Sequence, residues 1–136
     1  MSDALEPQNP LVLDHFLNPR NVGDLPEADG VGEVGAVACG DVMRISVRVR
    51  EERIAEARFR TFGCGTAIAT SSMATELIKG RTVQEALQFS NEEVSAALGG
   101  LPPAKSHCPV LAEEAVRAAV EDYLKKRSQK GKATNE

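Results

Sequence analysis

The chain has 136 residues, of which 42% are hydrophobic and 26% charged, and its formal net charge is −4. A chain of this length fits one domain, because folding removes about two-thirds of its accessible surface, and the composition excludes wholesale disorder. No run approaches the roughly 18 apolar residues of a membrane span. The acidic balance and an aromatic content of 4% argue against a nucleic-acid partner.

Residues 1–10 read as a flexible N-terminus. The segment is acidic and has neither an apolar h-region nor an arginine-rich stretch, so the expected compartment is the cytoplasm, where thiols stay reduced. Leu11 to Leu17 predicts a short helix stopped by Asn18-Pro19, and Asn21 to Gly32 is a turn-rich loop. His15, in that short helix, has a surface or packing role. Val31 to Ala38 supplies a strand whose glycines at 32 and 35 suit a bent edge. Met43, Ile45, Val47 and Val49 alternate with charged or polar residues, as do Ala55, Ala57 and Phe59, which predicts an antiparallel hairpin across Arg50-Glu51-Glu52-Arg53.

The second half is helical. Gly65 to Lys79 reads as a helix of small residues closed by Gly80. Thr82 with Glu85 and Ser90 with Glu93 have capping-box spacing and predict two short helices. Gly99 to Pro103 is an extended loop. Pro109 then fits the first position of a long helix to about Arg127, with Ala112, Val116, Ala119, Val120, Tyr123 and Leu124 as its apolar stripe. Glu113–Arg117, Glu121–Lys125 and Asp122–Lys126 have the i,i+4 spacing of ion pairs. Residues 128–136 read as a flexible polar tail. The fold class is α+β: a three-stranded antiparallel sheet covered by helices, with a long C-terminal helix, in a single domain over residues 11–127.

Three cysteines is an odd number without a C-x-x-C pair, so no disulfide framework is indicated. All three fall at element boundaries. Cys39 lies in the link between the first two strands, Cys64 between Gly63 and Gly65 where strand gives way to helix, and Cys108 at the N-cap before Pro109. Unpaired N–H groups and the helix dipole favour a thiolate at a helix N-terminus, and thiolates bind soft metals and attack sulfur. Asp41 and His107 are the supplementary ligand candidates, although Asp41 by itself could simply cap a turn. With Asp41 or His107, the three thiolates could equally form a closed zinc site.

Four stretches carry a resemblance. Asp14-His15-Phe16-Leu17-Asn18-Pro19-Arg20-Asn21, Ala38-Cys39-Gly40-Asp41, Phe62-Gly63-Cys64-Gly65 and Leu101-Pro102-Pro103-Ala104-Lys105-Ser106-His107-Cys108 closely resemble the IscU branch of the IscU/NifU iron–sulfur scaffold family, over about Leu11 to Arg127. The resemblance implies a non-enzymatic scaffold that builds a [2Fe-2S] cluster from iron and the sulfur of a cysteine desulfurase, then passes it to recipient apoproteins. It implies Cys39, Cys64 and Cys108 as ligands, Asp41 as the residue tuning lability, and His107 as a residue able to complete coordination. Cys108 is the first candidate for persulfide acceptor and Cys64 the second. A ferredoxin-like electron donor is implied too. Leu101, Pro102, Pro103, Ala104 and Lys105 resemble the segment gripped by an ATP-dependent chaperone working with its co-chaperone; Ala104 replaces the usual valine, and a stiff spacer is the other reading of the two prolines. The alternative function is a zinc-binding sulfur acceptor that activates a desulfurase without building a cluster. His107 and the short Cys64–Cys108 interval favour the scaffold.

Overall fold

Alternating side chains build the sheet and decide which of its faces is wet. The computed structural model describes the backbone of residues 10–36, 41–62, 65–99 and 107–135, with side chains throughout except at 36, 41, 66, 107, 108 and 128–135. In chain order the described elements are α1 (Pro10–Leu17), β1 (Gly30–Ala36), β2 (Asp41–Arg50), β3 (Arg53–Phe62), α2 (Gly65–Ile78), α3 (Val83–Leu87), α4 (Asn91–Ala97) and α5 (His107–Asn135). The strands pair antiparallel in the order β1-β2-β3, the α+β arrangement expected from the pattern.

Met43, Ile45 and Val47 are fully buried, and Phe59 and Ala57 stand opposite Ile45 and Val47 in the ladder. The alternation does not continue to Ala55, which is exposed, while Ile54 is buried. Arg48 pairs with Glu56 but Val49 pairs with Ile54, so Ala55 is an extra residue. This β-bulge reverses the inward and outward positions that strict period-2 spacing assigns. Glu51 and Glu52 close the hairpin at φ of 51° and 64°, the left-handed pair that a two-residue turn of type I′ requires.

Helices α2 and α5 cover the inner face, α2 on β3 and α5 on β1 and β2, and they also touch each other. Ala112, Val116, Ala119 and Val120 are buried as the stripe predicts, together with Ala115. These small residues let α5 lie on the backbone of β1. A Cβ at Gly32 would stand 2.4 Å from the Ala119 nitrogen and 2.5 Å from the Ala115 oxygen; one at Gly30 would stand 2.2 Å from the Ala119 oxygen. Asp122 fastens the same contact by accepting the Val31 N–H at 2.9 Å.

Two helix boundaries differ from expectation. α5 begins at His107, so Cys108 lies within the first turn rather than at the N-cap and Pro109 is the third residue rather than the first. Proline is tolerated there because the first four N–H groups of a helix have no partner inside it. At the other end the helix runs past Arg127 to Asn135. Lys125, Lys126 and Arg127 are good helix formers, so nothing stops it there. Glu113–Arg117 (3.2 Å) and Asp122–Lys126 (3.0 Å) form as spaced, whereas Glu121 and Lys125 make no ion pair among the described residues.

Gly80 follows α2 at φ +87°, and both capping boxes close. The Thr82 hydroxyl accepts the Glu85 N–H at 3.1 Å while the Glu85 carboxylate accepts the Thr82 N–H at 2.9 Å; Ser90 and Glu93 repeat the arrangement. Both short helices pack on α5.

The turn-rich loop does more than connect. Asn21 and Gly23 bond the backbone of Phe59 at the β3 edge, and the chain then crosses the outer face of the sheet toward β1. Asp24 bonds Arg60 of β3 at 2.7 Å and faces Arg44 of β2 at 3.6 Å, and the Pro26 carbonyl accepts Arg48 at 2.7 Å. Leu25, between them, is buried at the level of the buried Ser46. The polar face is thus partly roofed by an arch.

Candidate metal centre

Cys39 and Cys64 lie outside the described residues, as does the Leu101–Lys105 segment. Asp41 is the first residue of β2, and His107 and Cys108 are the first two of α5; their side chains are likewise outside the description. Among the described residues no group of three His, Cys, Asp or Glu side chains could hold a metal ion. What the described backbone does establish is where the flanks of each cysteine segment stand.

Ala36 pairs with Asp41, and Val42 with Phe62, so the end of β1, the start of β2 and the end of β3 lie abreast at one edge of the sheet. Gly65, three residues beyond Phe62, opens α2. Two contacts give the level of α5. Gly30 faces Ala119 and Tyr123, while Gly32 faces Ala115, Ala118 and Ala119, so the helix runs antiparallel to β1. Ala36 lies four residues past Gly32, about 13 Å at roughly 3.3 Å per strand residue. At 1.5 Å per helical residue that corresponds to about nine residues back from position 117. The first turn of α5, which carries His107 and Cys108, therefore stands at the level of Ala36. The flanks of all three cysteine segments share one end of the fold, and two of them are helix N-termini, whose unpaired N–H groups and dipole favour anionic sulfur.

The side of this end next to Cys64 is faced by α1. The Phe16 ring packs against Gly65, with carbons 3.0 Å from where a Cβ would sit. His15 is buried, not a surface residue: its Nδ1 lies 2.7 Å from the Ser72 hydroxyl, which also accepts the Arg20 N–H at 2.9 Å. Burial, with the Arg20 charge beside it, holds its pKa below the ordinary 6.5. Arg20 bonds Asp14 at 2.8 Å, and its guanidinium lowers the Asp14 pKa. Asn21, in the left-handed region at φ 64°, donates from its amide to Thr75 (3.1 Å) and Glu76 (2.7 Å) and accepts from Lys79 (2.9 Å).

Other carboxylates are held low by the same kind of contact. The Arg81 guanidinium does it for Glu93, the Thr82 N–H for Glu85, the Asn91 N–H for Glu113 and the Asn21 amide for Glu76; at Asp122 partial burial opposes the shift but the Val31 N–H and Lys126 outweigh it. Every one of these groups, His15 included, binds fewer protons folded than unfolded, so stability falls as pH falls. The urea midpoint should decline in two steps. A shallow one below pH 6.5 comes as unfolded His15 takes up a proton, and a steeper one below about 4.5 comes from the carboxylates. His15→Gln should remove only the first; an unchanged profile would count against the buried neutral ring.

Comparison with known proteins shows the family. The profile of the NifU-like N terminal domain family matches residues 8–130. The iron-sulfur cluster assembly scaffold protein IscU 1 of Archaeoglobus fulgidus is 56% identical over 115 residues, covering 85% of this chain and 75% of the relative. The IscU scaffold protein of Azotobacter vinelandii is 55% identical over 120 residues, covering 85% and 93%. Among solved structures, the N-terminal part of a nitrogen-fixing NifU-like protein from Brucella abortus superposes with a TM-score of 0.68 at 19% identity, over 87% of this chain and 94% of that one, a likeness of fold. The chain belongs to the NifU-like N-terminal domain family, on the side of its IscU scaffold proteins.

Proposed function

We propose that this protein is the scaffold on which a [2Fe-2S] cluster is built from iron and desulfurase-derived sulfur and then handed to recipient apoproteins. The observation that carries the reading is the shared end of the fold at which the flanks of the Cys39, Cys64 and Cys108 segments stand. The chain's identity of more than half with proteins named as cluster assembly scaffolds supports it. The protein acts as acceptor and carrier, not as an enzyme.

In this reading a thiolate, Cys108 first and Cys64 second, attacks the outer sulfur of a persulfide on the desulfurase. A new S–S bond forms on the scaffold and the desulfurase thiolate leaves, with no net redox change. Reduction of that sulfur to sulfide takes two electrons, drawn from a ferredoxin-like donor. Iron is held by the three thiolates with Asp41 or His107 completing the set. Three thiolates and one oxygen or imidazole donor grip a cluster less firmly than four thiolates, which suits a cargo that must leave. Transfer is assisted by an ATP-dependent chaperone and its co-chaperone at Leu101–Lys105. The work is cytoplasmic; among the described residues no helix is long and apolar enough to cross a membrane.

Anaerobic incubation of the protein with ferrous iron, cysteine, a cysteine desulfurase and a reductant should develop visible absorption with matching iron and acid-labile sulfide. Zinc is redox-silent and colourless, so a colourless product with bound zinc, or labelled sulfur on cysteine without iron, would replace this reading with the sulfur-acceptor one. Asp41→Ala should slow loss of the assembled cluster to a chelator. Loss at the wild-type rate would remove Asp41 from the role of tuning lability.

A further inference from the structure

The fully buried face of helix α2 is built mostly of small residues. Among the described residues these are Ala67, Ala69, Thr70, Ser71, Ser72, Ala74, Thr75 and, at the last turn, Ile78, with Ile68, Met73 and Leu77 partly buried against the core beside them. Interlocking of ridges and grooves fixes how far one element can slide along another, and a face of small residues interlocks weakly. Polar contacts from outside that face therefore have a share in setting the axial position of α2.

The Asn18-Pro19-Arg20-Asn21 motif supplies them. Asn21 grips two residues of the last turn of α2 and the residue just beyond it: its amide donates to Thr75 and Glu76 and accepts from Lys79. Its carbonyl accepts the Phe59 N–H at 2.8 Å, so the same residue is pinned to the β3 edge. One turn earlier the Arg20 N–H bonds Ser72, and at the N-terminus of α2 the Phe16 ring abuts Gly65. A left-handed residue between two fixed neighbours leaves the amide little freedom to follow a sliding helix.

We propose that Asn21 is a positioning residue for cluster assembly. By locking α2 to the edge of β3 it sets where Cys64, the residue immediately before α2, enters the ligand set. The inference rests on the reading of Cys64 as a ligand. It acts as outer contacts of metal sites do: they orient ligands without touching the metal, and their loss commonly weakens binding 10–100-fold.

The test uses Asn21→Gly, because glycine adopts φ 64° freely and only the amide contacts are lost. Two measurements are made: Co²⁺ titration of the apoprotein, followed by thiolate-to-metal absorption, and chelator-driven loss of the assembled cluster. The variant should bind Co²⁺ about tenfold more weakly and lose its cluster about tenfold faster than wild type. Ser90→Ala, which removes the cap of α4, serves as a control that lowers the melting temperature away from the junction. Wild-type values for Asn21→Gly, or changes no larger than those of the control at matched loss of melting temperature, overturn the proposal. A wild-type protein that shows neither Co²⁺–thiolate absorption nor a cluster overturns the scaffold reading and this inference together. A competent wild type with an unaffected Asn21→Gly removes the inference alone.

Discussion

Gly32→Ala should lower the melting temperature by about 12 °C. The added carbon would sit 2.4–2.7 Å from three atoms of α5, two of them backbone, which cannot rotate away. Overpacking of this kind costs about 3 kcal/mol when the obstacle is rigid, and a chain of this size loses roughly 4 °C per kcal/mol. Gly80→Ala makes the informative comparison. Its φ of +87° is strained for alanine but the space around it is open, so the cost should be only about 1 kcal/mol. Thermal denaturation followed by circular dichroism separates them. If the two variants melt together, α5 does not rest on the β1 backbone as described. The level of α5 against β1 is also what brings its first turn to the cysteine end, so Gly32→Ala should weaken metal binding as well as stability.

Phe89→Ala is expected to cost about 4 kcal/mol, a large share of the 5–15 kcal/mol that holds a domain together. Phe89 is 1% exposed and heads the fully buried side chains by volume. It lies in the link between α3 and α4, where Val83, Ala86, Val94 and Leu98 join the same core. Arg81 sits 5.5 Å from its ring centroid, a cation–π contact that truncation also removes. Urea denaturation should show a midpoint shift several times that of Arg81→Ala, which removes the cation but leaves the cavity filled. Equal shifts would mean that the ring matters for its charge partner rather than its volume.

Most elements were legible because their signals are local. The alternation at Met43, Ile45 and Val47, the two capping boxes, and Gly80 after α2 each need only a few adjacent residues to declare themselves, and each is found where the spacing puts it. Departures arise where tertiary partners decide. The bulge at Ala55 comes from register with β2, and the role of Gly32 from the helix that presses on it, not from a bend. Asn21 reads as one more turn residue until α2 is brought alongside, although an asparagine after Pro19-Arg20 is a natural candidate for the left-handed region. The arch was hidden for the same reason; its one clue was the single leucine, Leu25, inside an otherwise polar loop. The cysteines stood out through their glycine, proline and histidine neighbours, which mark chain boundaries whatever the partners.

One edge of the sheet carries a last consequence. At Val31 the outward N–H of β1 is already taken by Asp122, and at Gly35 the backbone turns to φ +101°. A second chain seeking to add itself as a fourth strand would find its first hydrogen bond occupied and its template kinked. The β1 edge is therefore a poor template for strand addition, as the exposed edges of stable sheets need to be.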